Sequence, residues 1–302
     1  MKTNPRIVTK EKLLEDFIAL GVQRGDTLNV KASLGSIGNV AGGAESVIWA
    51  LLEAVGDEGT IVTDSFVQCY RLPLMGENKS KISTDETPSY AGALANAMIR
   101  DSRSVRSKHP IQKFAAIGKR AEELMLNHTP QSYAYDVLRI LIKTGGKNLK
   151  IGSDEKVYGI GTTHVALGAL GYRQKRTAAG VKYRDGKGNV KLFRLNWSGA
   201  GHGFNKFMPK YQAAGAVLGQ GYVGFAPAKI TDMKITYDVE IKELKDNPSF
   251  QLCDRDDCVP CRLSWDFSEE SLLTFLANNF LNLSPTLIAK AFLTRFFLKY
   301  PF

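Results

Sequence analysis

The sequence has 302 residues, 44% of them hydrophobic, which is enough to bury a large core in one domain or in one domain with an appendage. It contains no run of about 18 uncharged apolar residues and no N-terminal signal-peptide pattern, so we expect neither membrane insertion nor secretion. The net charge of +10 suits phosphate-rich partners, but the basic residues are scattered and no nucleic-acid-binding motif accompanies them. We therefore expect a cytoplasmic protein that does not bind nucleic acid.

The first predicted elements form an α/β unit. Thr9 is a candidate N-cap for a helix that Gly21 ends. Alternating apolar residues at 28–32 predict a strand, residues 44–55 predict a helix, and a second strand begins at Ile61. This order predicts parallel pairing of the two strands. Four glycines lie between the first strand and the second helix: Gly35, Gly38, Gly42 and Gly43.

The middle of the chain predicts shorter elements. Residues 67–88 are polar and irregular, which favours a surface loop or a lid. We expect a helix at 90–99, short strands at 111–117 and 149–151, and a hairpin at 183–195. Three more helices are predicted towards the C-terminus: residues 232–245, one from Ser268 and one from Ser284.

His164 is the candidate general base. It follows Gly161 and two threonines, and the segment is expected near the end of a strand. An imidazole has an ordinary pKa of about 6.5, which suits it to proton transfer at neutral pH. A core histidine that caps a turn is the structural alternative.

The glycine-rich loop is a second candidate site. Its small residues let backbone amides approach an anionic ligand at the start of a helix. Its spacing matches neither the dinucleotide fingerprint nor the phosphate-binding P-loop, so a simple tight turn is an equal alternative.

Several ordered segments resemble the aminoglycoside 3-N-acetyltransferase family, and together they cover roughly residues 7–245. The segments that carry the resemblance are Val30–Ile48, Val55–Val62, Thr87–Leu94, Arg106–Pro110, Phe114–Gly118, Ile151–Gly152, Thr162–His164, Gly203–Lys206 and Val223–Ala226. Each segment alone is unspecific, but their order along the chain is that of the family.

The resemblance implies acetyl-CoA-dependent N-acetylation of an amino sugar. It implies a three-layer α/β/α fold with a central mixed sheet in residues 1–247. Residues 248–302 are then expected to form a cysteine-containing loop and a C-terminal helical appendage packed on the same body. The oligomeric state stays open, with a homodimer as one option.

The resemblance also implies roles for particular residues, with His164 as the catalytic histidine. The implied cofactor-binding residues for acetyl-CoA are Lys31, Ser33, Leu34, Gly35, Arg106, Ser107, Phe114 and Ala115. The candidate substrate-binding residues are Asp64, His109, Thr163 and His202. His109 precedes a proline in an extended loop, so we favour a role in shaping the site. The fourth histidine, His128, is expected to be exposed at the end of a helix.

The chain departs from the family pattern in its acidic residue and its charge. Family members carry a glutamate three residues after the catalytic histidine, where Leu167 stands here; Asp64, Asp154 or Glu155 are candidate replacements. The serine before the Phe-Ala-Ala segment is Lys113. A protein of charge +10 repels a polycationic aminoglycoside at long range. We therefore expect a less cationic acceptor, such as an amino sugar of a surface polysaccharide or a nucleotide-linked sugar.

Three cysteines are closely spaced as Cys253-x4-Cys258-x2-Cys261. They resemble part of a structural zinc site, which needs four ligands, so Cys69, His202 or an aspartate would have to complete it. Reduced structural thiols are the alternative.

Three other functions stay open. The chain could transfer a different acyl group, or it could be a non-catalytic descendant that binds CoA or another phosphate-rich ligand in a polysaccharide pathway. Leu167 favours this second option. A nucleic-acid binder that uses the basic surface should show steeply salt-dependent binding.

Overall fold

The computed structural model describes most of the chain, namely residues 7–174, 179–195, 201–258, 261, 265–266, 285–286 and 289. The strands are β1 (Ile7–Val8), β2 (Thr27–Ala32), β3 (Asn39–Val40), β4 (Thr60–Asp64), β5 (Tyr70–Arg71), β6 (Ile82–Ser83), β7 (Val105–Arg106), β8 (Phe114–Gly118), β9 (Lys147–Ile151), β10 (Arg173–Gln174), β11 (Ala179–Arg184), β12 (Val190–Arg194), β13 (Val217–Val223), β14 (Ala226–Asp232) and β15 (Trp265–Asp266). The helices are α1 (Lys10–Ala19), α2 (Leu34–Ile37), α3 (Gly43–Val55), α4 (Ala93–Arg100), α5 (Ala121–Leu126), α6 (Asp136–Lys143), α7 (Thr162–Ala169), α8 (Met208–Ala213) and α9 (Met233–Asp246). Three short 3-10 helices cover Gly76–Lys79, Phe204–Phe207 and Pro248–Gln251.

A mixed seven-stranded sheet forms the centre of the fold, in the order β13-β14-β9-β2-β4-β8-β7. The three middle strands, β9, β2 and β4, are parallel, and the strands on either side are antiparallel. Ligands of open α/β sheets bind beyond the carboxyl ends of such parallel strands. The predicted parallel pairing of the first two long strands is confirmed.

Helices cover both faces of this sheet. On one face, α1, α3 and α4 pack apolar residues of the middle strands into the largest core cluster, which includes Leu28, Val30 and Ile61. On the other face, Val62 and Phe114 belong to a second cluster with residues of α5, α6 and α7. Because alternate strand residues point to opposite faces, β4 contributes to both cores. The expected three-layer α/β/α fold is confirmed.

The first helix shows how local sequence signals specify these elements. The Thr9 hydroxyl caps α1 by accepting a hydrogen bond from the Lys12 amide at 3.2 Å. Leu13 and Phe17 are fully buried, whereas Ile18, which the apolar pattern also includes, is 58% exposed. The helix therefore buries a narrower stripe than its sequence indicates.

The irregular segment 67–88 is not simply a loop. Its β5 and β6 both pair with β11, which also forms the predicted hairpin with β12, and the four strands make a second small sheet. The following helix, α4, begins at Ala93 rather than at Tyr90. The Asn96 side chain accepts from the Ser89 amide and donates to the Ser89 and Gly92 carbonyls, which holds residues 89–92 outside the helix.

The predictions for the C-terminal region are largely untested. The two last predicted helices, which begin near Ser268 and Ser284, fall almost entirely outside the described residues, and the division at residue 247 stays a prediction. Within the part of the chain that the structure describes, no helix has the length and apolar character needed to span a bilayer.

Candidate active site

Three ionisable side chains meet beyond the carboxyl edge of the parallel strands. Lys31 lies near the end of β2 and Asp64 ends β4, and the register places the residues before them, Val30 and Thr63, side by side. His164 lies in the first turn of α7. The Lys31 ammonium acts electrostatically on both Asp64 and His164, so the three groups share one site.

Aromatic rings hold the imidazole of His164 in place. The Tyr135 ring stacks on it with a centroid distance of 4.5 Å and an interplanar angle of 5°. The Phe204 ring packs against it at 66°, with centroids 4.9 Å apart. A Cβ at Gly159 would collide with Phe204, so only glycine lets these two segments approach so closely. The ring is therefore oriented by packing.

The backbone of His164 is held separately from its ring. The Tyr133 hydroxyl donates a hydrogen bond to the His164 carbonyl at 2.8 Å. A Cβ at Gly168, one turn further along α7, would overlap this hydroxyl, so the contact requires glycine there. Tyr133 thereby ties the first turn of α7 to the start of α6.

This environment keeps His164 neutral. Burial, together with the nearby charge of Lys31, lowers the pKa of His164 to about 3. A neutral imidazole at physiological pH can accept a proton. The pKa of Asp64 is raised because burial disfavours its charged form, and Lys31 opposes this shift only in part.

A buried carboxyl group that the sequence did not reveal anchors the start of α7. Glu240 of α9 is fully buried. Its Oε1 accepts hydrogen bonds from Thr162 at 2.9 Å, from Thr163 at 2.7 Å and from the Tyr211 hydroxyl. The Thr163 hydroxyl is thus committed to Glu240, and its predicted contact with substrate stays a prediction. Burial raises the pKa of Glu240 to about 8, although the three donors oppose the rise.

Position 167, where the family pattern has a glutamate, lies in apolar surroundings in the structure. Leu167 is buried in a cluster that includes Phe204 and Tyr211. Of the suggested substitutes, Asp154 pairs with Lys150 and Glu155 is exposed. Among the described residues, no carboxylate hydrogen-bonds to either nitrogen of the His164 ring.

The segment Ser33–Gly35 lies where the parallel strands end. The Ser33 amide donates to the carbonyl of Ile151 at 2.8 Å, and its hydroxyl is 2.8 Å from that of Ser36. Gly35 is exposed, while Leu34 packs partly against the main core. The predicted contacts of Ser33, Leu34 and Gly35 with acetyl-CoA stay predictions, and their position beside Lys31 is compatible with them.

Arg106 is buried and bonded to the protein itself. Its guanidinium donates to the Ser65 hydroxyl and carbonyl at 3.0 and 2.6 Å, and to the carbonyls of Asp85 and Thr87 at 2.7 and 2.6 Å. Burial lowers the pKa of Arg106 to about 10, despite the charge of Asp85. These bonds favour a structural role over the predicted contact with acetyl-CoA.

The remaining predicted cofactor residues are also interior. Phe114 and Ala115 are fully buried neighbours in β8 whose side chains lie in the two different cores. The Ser107 hydroxyl accepts from the Phe114 amide at 3.0 Å. Lys113, which replaces the family serine, is buried and donates to the Ser107 carbonyl at 2.9 Å. Any contact of these residues with acetyl-CoA stays a prediction.

Two further histidines form a buried pair. The rings of His109 and His128 stack with centroids 5.0 Å apart, and Nδ1 of His128 is 3.0 Å from the Ser107 hydroxyl. His128 is only 2% exposed, so the expectation of an exposed residue is wrong. Burial lowers the pKa of His109 to about 2 and that of His128 to about 4. Both are neutral interior residues, which agrees with a role of His109 in shaping the site.

His202 and the three neighbouring cysteines come together near this site. Nδ1 of His202 lies 3.2 Å from Sγ of Cys258, and the buried Cys253 and Cys261 belong to the same cluster. Cys69 packs in a different cluster with Ile111 and is therefore wrong as a fourth ligand. The substrate contact predicted for His202 stays a prediction.

The fold and the neutral imidazole define an α/β protein with a candidate general base at the edge of its parallel strands. The model of the family described as aminoglycoside 3-N-acetyltransferase matches residues 30–245 of the 302. The chain belongs to this family, which confirms the resemblance.

Individual relatives with similar sequences have names that place them in the same family. The chain is 31% identical over 173 residues to aminoglycoside N(3)-acetyltransferase VII of Streptomyces paromomycinus, covering 51% of this chain and 58% of that protein. It is 35% identical over 144 residues to the SPbeta prophage-derived aminoglycoside N(3')-acetyltransferase-like protein YokD of Bacillus subtilis, covering 42% and 52%. The matches therefore span only a little over half of each relative's length.

Solved structures match over more of their length. The crystal structure of YokD superposes with a TM-score of 0.70 at 26% identity, covering 82% of this chain and 96% of that one. A structure described as AAC-IIIb binary with CoASH gives a TM-score of 0.64 at 22% identity, covering 80% and 97%. At that identity the second match supports the fold alone.

Replacing Glu240 with glutamine tests the buried anchor of α7. Because its folded pKa is raised to about 8 from an ordinary 4.5, Glu240 binds its proton more tightly in the folded protein, so stability falls as the pH rises between these values. The neutral Glu240→Gln keeps an accepting oxygen. We expect its free energy of unfolding, relative to the wild type, to increase by roughly 2–3 kcal/mol from about pH 5.5 to about pH 8.5.

The measurement is urea unfolding at both pH values. Asp246→Asn, at the exposed end of the same helix, controls for the change in net charge. A pH-independent difference between Glu240→Gln and the wild type would contradict this account.

Proposed function

We propose that this protein transfers the acetyl group of acetyl-CoA to an amine of an amino sugar, with His164 as the general base. Membership of the aminoglycoside 3-N-acetyltransferase family supports the reaction class and with it the co-substrate acetyl-CoA. The observation that carries the residue-level proposal is the neutral imidazole of His164, packed between Tyr135 and Phe204 beside Lys31 and Asp64.

The reaction requires a free amine. The acceptor ammonium loses one proton to His164, directly or through water, and the amine nitrogen attacks the thioester carbonyl carbon. The new C–N bond gives a tetrahedral intermediate with negative charge on oxygen. Its collapse breaks the C–S bond, the proton held by His164 passes to the sulfur of the leaving thiolate, and the second proton of the acylated nitrogen is released to water. The products are the acetamide and CoA.

The low pKa of His164 has two consequences. The ring nitrogen is available as a proton acceptor throughout the physiological pH range, but it attracts a proton only weakly. Negative charge that develops on the tetrahedral intermediate raises the proton affinity of a neighbouring imidazole. The base is therefore strengthened as the intermediate forms.

Positive and polar groups near His164 suit this developing charge. The backbone amides of Leu34 and Gly35 are candidate oxyanion donors, since that of Ser33 is already bonded to Ile151, and the Lys31 ammonium adds a favourable field. Lys31 Nζ is 3.5 Å from the carbonyl of Tyr158, which holds it at the site. The carboxyl of Asp64 is the candidate partner for the acceptor amine.

A second candidate is a non-catalytic descendant that binds CoA or a similar phosphate-rich ligand. The specific observation in its favour is Leu167, since the ring nitrogens of His164 have no carboxylate partner among the described residues. An imidazole oriented only by packing has no fixed tautomer.

Replacing His164 with glutamine separates the two candidates. Glutamine approximates the size of the imidazole but cannot act as a base, so we expect kcat to fall about 10²- to 10⁴-fold while the Kd for acetyl-CoA changes less than about threefold. Steady-state kinetics and calorimetric titration measure the two quantities. Lys187→Gln, at the exposed hairpin tip, is the matched control and retains wild-type kcat. Acetyl-CoA binding without turnover on a broad amine panel, unaffected by His164→Gln, would favour the non-catalytic candidate instead.

The positive charge of the protein affects which acceptor substrates can approach the site. A net charge of +10 and a lysine beside the base disfavour a polycation. We infer an acceptor with a single amine and little other positive charge, or with a phosphate, such as a sugar linked to a nucleotide or part of a surface polysaccharide.

The acceptor hypothesis predicts a preference that salt weakens. We expect kcat/KM for amino sugar phosphates to exceed that for kanamycin-like polycations by about tenfold or more at low ionic strength. The ratio should shrink in about 0.5 M salt, because long-range steering is then screened. Efficient turnover of kanamycin-like substrates, with none of amino sugar phosphates, would overturn it.

A further inference from the structure

Four side chains that commonly bind metals lie close together near the candidate active site. The ligand atoms of His202, Cys258 and Cys261 all lie within 4.8 Å of one another. The thiol of Cys253 lies outside this group of three but interacts with the thiols of both Cys258 and Cys261 and is buried with them. Three thiols and one imidazole therefore lie close together.

The distances among His202, Cys258 and Cys261 fit a small tetrahedral ion. With Zn–S bonds of about 2.3 Å, sulfur atoms around a tetrahedral zinc lie about 3.7 Å apart. Nδ1 of His202 is already 3.2 Å from Sγ of Cys258, and the widest separation among the three atoms requires a contraction of only about 1 Å. Rotation of the side chains can supply such a movement without a change of the backbone.

The chain builds this cluster from two segments in close contact. A Cβ at Gly203, next to His202, would lie 2.6 Å from the Cys253 amide nitrogen, so glycine is needed to bring the segments together. The Lys206 ammonium joins them again by donating to the carbonyl of Leu252 at 3.2 Å and pairing with Asp254 at 2.8 Å. On the cysteine segment, the Cys258 amide donates to the carbonyl of Arg255, which closes a turn between the first two cysteines.

We propose that Cys253, Cys258, Cys261 and His202 bind one Zn²⁺ ion in a closed, structural site. Three thiolates and a neutral imidazole are a common ligand set for structural zinc, and Cys-x2-Cys spacing is frequent in such sites. Four protein ligands leave no open position for water or substrate, so the ion has no direct part in catalysis.

The surroundings offset the charge that such a site would carry. Three thiolates around a divalent ion leave one net negative charge. The guanidinium of Arg255 interacts with both Cys258 and Cys253 and supplies one positive charge. Partners of this kind, beyond the ligands themselves, tune affinity in known metal sites.

The position of the ion gives it a role in ordering the active site. His202 precedes by two residues Phe204, whose ring packs on His164. The neighbouring Asn205 accepts hydrogen bonds at 2.7 Å from Lys150 and from the Gly159 amide. A zinc ion would fix the start of this short segment to the Cys253–Cys261 loop and so hold Phe204 against the imidazole.

Metal analysis of the full chain tests the proposal. Protein purified without chelators, after growth in zinc-supplemented medium, should contain close to one zinc per chain by inductively coupled plasma mass spectrometry. Cys258→Ser and Cys261→Ser should lower the content at least tenfold. Cys69→Ser, a buried cysteine in a different cluster, should retain it. Wild-type protein without zinc, or equal loss in Cys69→Ser, would overturn the proposal.

A second measurement on the wild type does not depend on folding of the variants. Zinc should protect the thiols of Cys253, Cys258 and Cys261 from a thiol reagent. Adding a zinc chelator should make these three thiols reactive and leave the reactivity of Cys69 unchanged. Cobalt(II) added to the reduced metal-free protein should give the absorption of a tetrahedral thiolate site. Thiol reactivity unaffected by the chelator, together with no cobalt spectrum, would exclude the site.

Discussion

The packing of aromatic rings on the imidazole of His164 is the constraint on which the site depends. Tyr135 covers one face at 4.5 Å and Phe204 packs against one side at 4.9 Å, and together they desolvate much of the ring. This desolvation outweighs the preference of histidine for a proton and lowers its pKa to about 3. Gly159 is part of the same constraint, because any larger residue would displace Phe204. The scaffold therefore sets both the orientation and the protonation state of the candidate base.

The carboxyl groups around the site have separate tasks. Glu240 is committed to two threonine hydroxyls and a tyrosine at the start of α7, so it positions the helix that carries His164 without touching the ring. Asp64 is the acidic group near the imidazole, and the charge of Lys31 acts on both of them. A glutamate at position 167, as in the family pattern, would instead place a carboxyl group on α7 itself, the helix that carries His164. Here a leucine fills that position within the core.

Local signals in the sequence predicted the main elements well. The Thr9 cap, the strand at 28–32 and the hairpin at 183–195 depend on neighbouring residues and were found close to where they were expected. The pairing of β5 and β6 with β11 was not predicted, because it joins residues about 100 positions apart. Side-chain bonds of Asn96 moved the start of α4, a detail that helix periodicity does not contain.

The candidate site was predictable only in part. Ordered family segments pointed to His164, and the cysteine spacing indicated a candidate metal site with His202 among the possible fourth ligands, three members of which lie close together. Glu240 was missed because a glutamate in an amphipathic helix normally faces solvent, and its burial depends on the approach of α7. Arg106 illustrates the converse case. A basic residue in a family segment suggests phosphate binding, yet four protein acceptors already engage its guanidinium.

As the proposed general base, His164 should face the reacting thioester at the carboxyl edge of the parallel strands. A crystal structure of the protein with CoA would show whether it does. We expect the CoA sulfur within hydrogen-bond reach, about 3–4 Å, of the His164 ring and close to Ser33–Gly35, with Arg106 still bonded to Ser65. A CoA molecule whose sulfur lies away from His164, or whose phosphates displace Arg106 from its carbonyl partners, would contradict it.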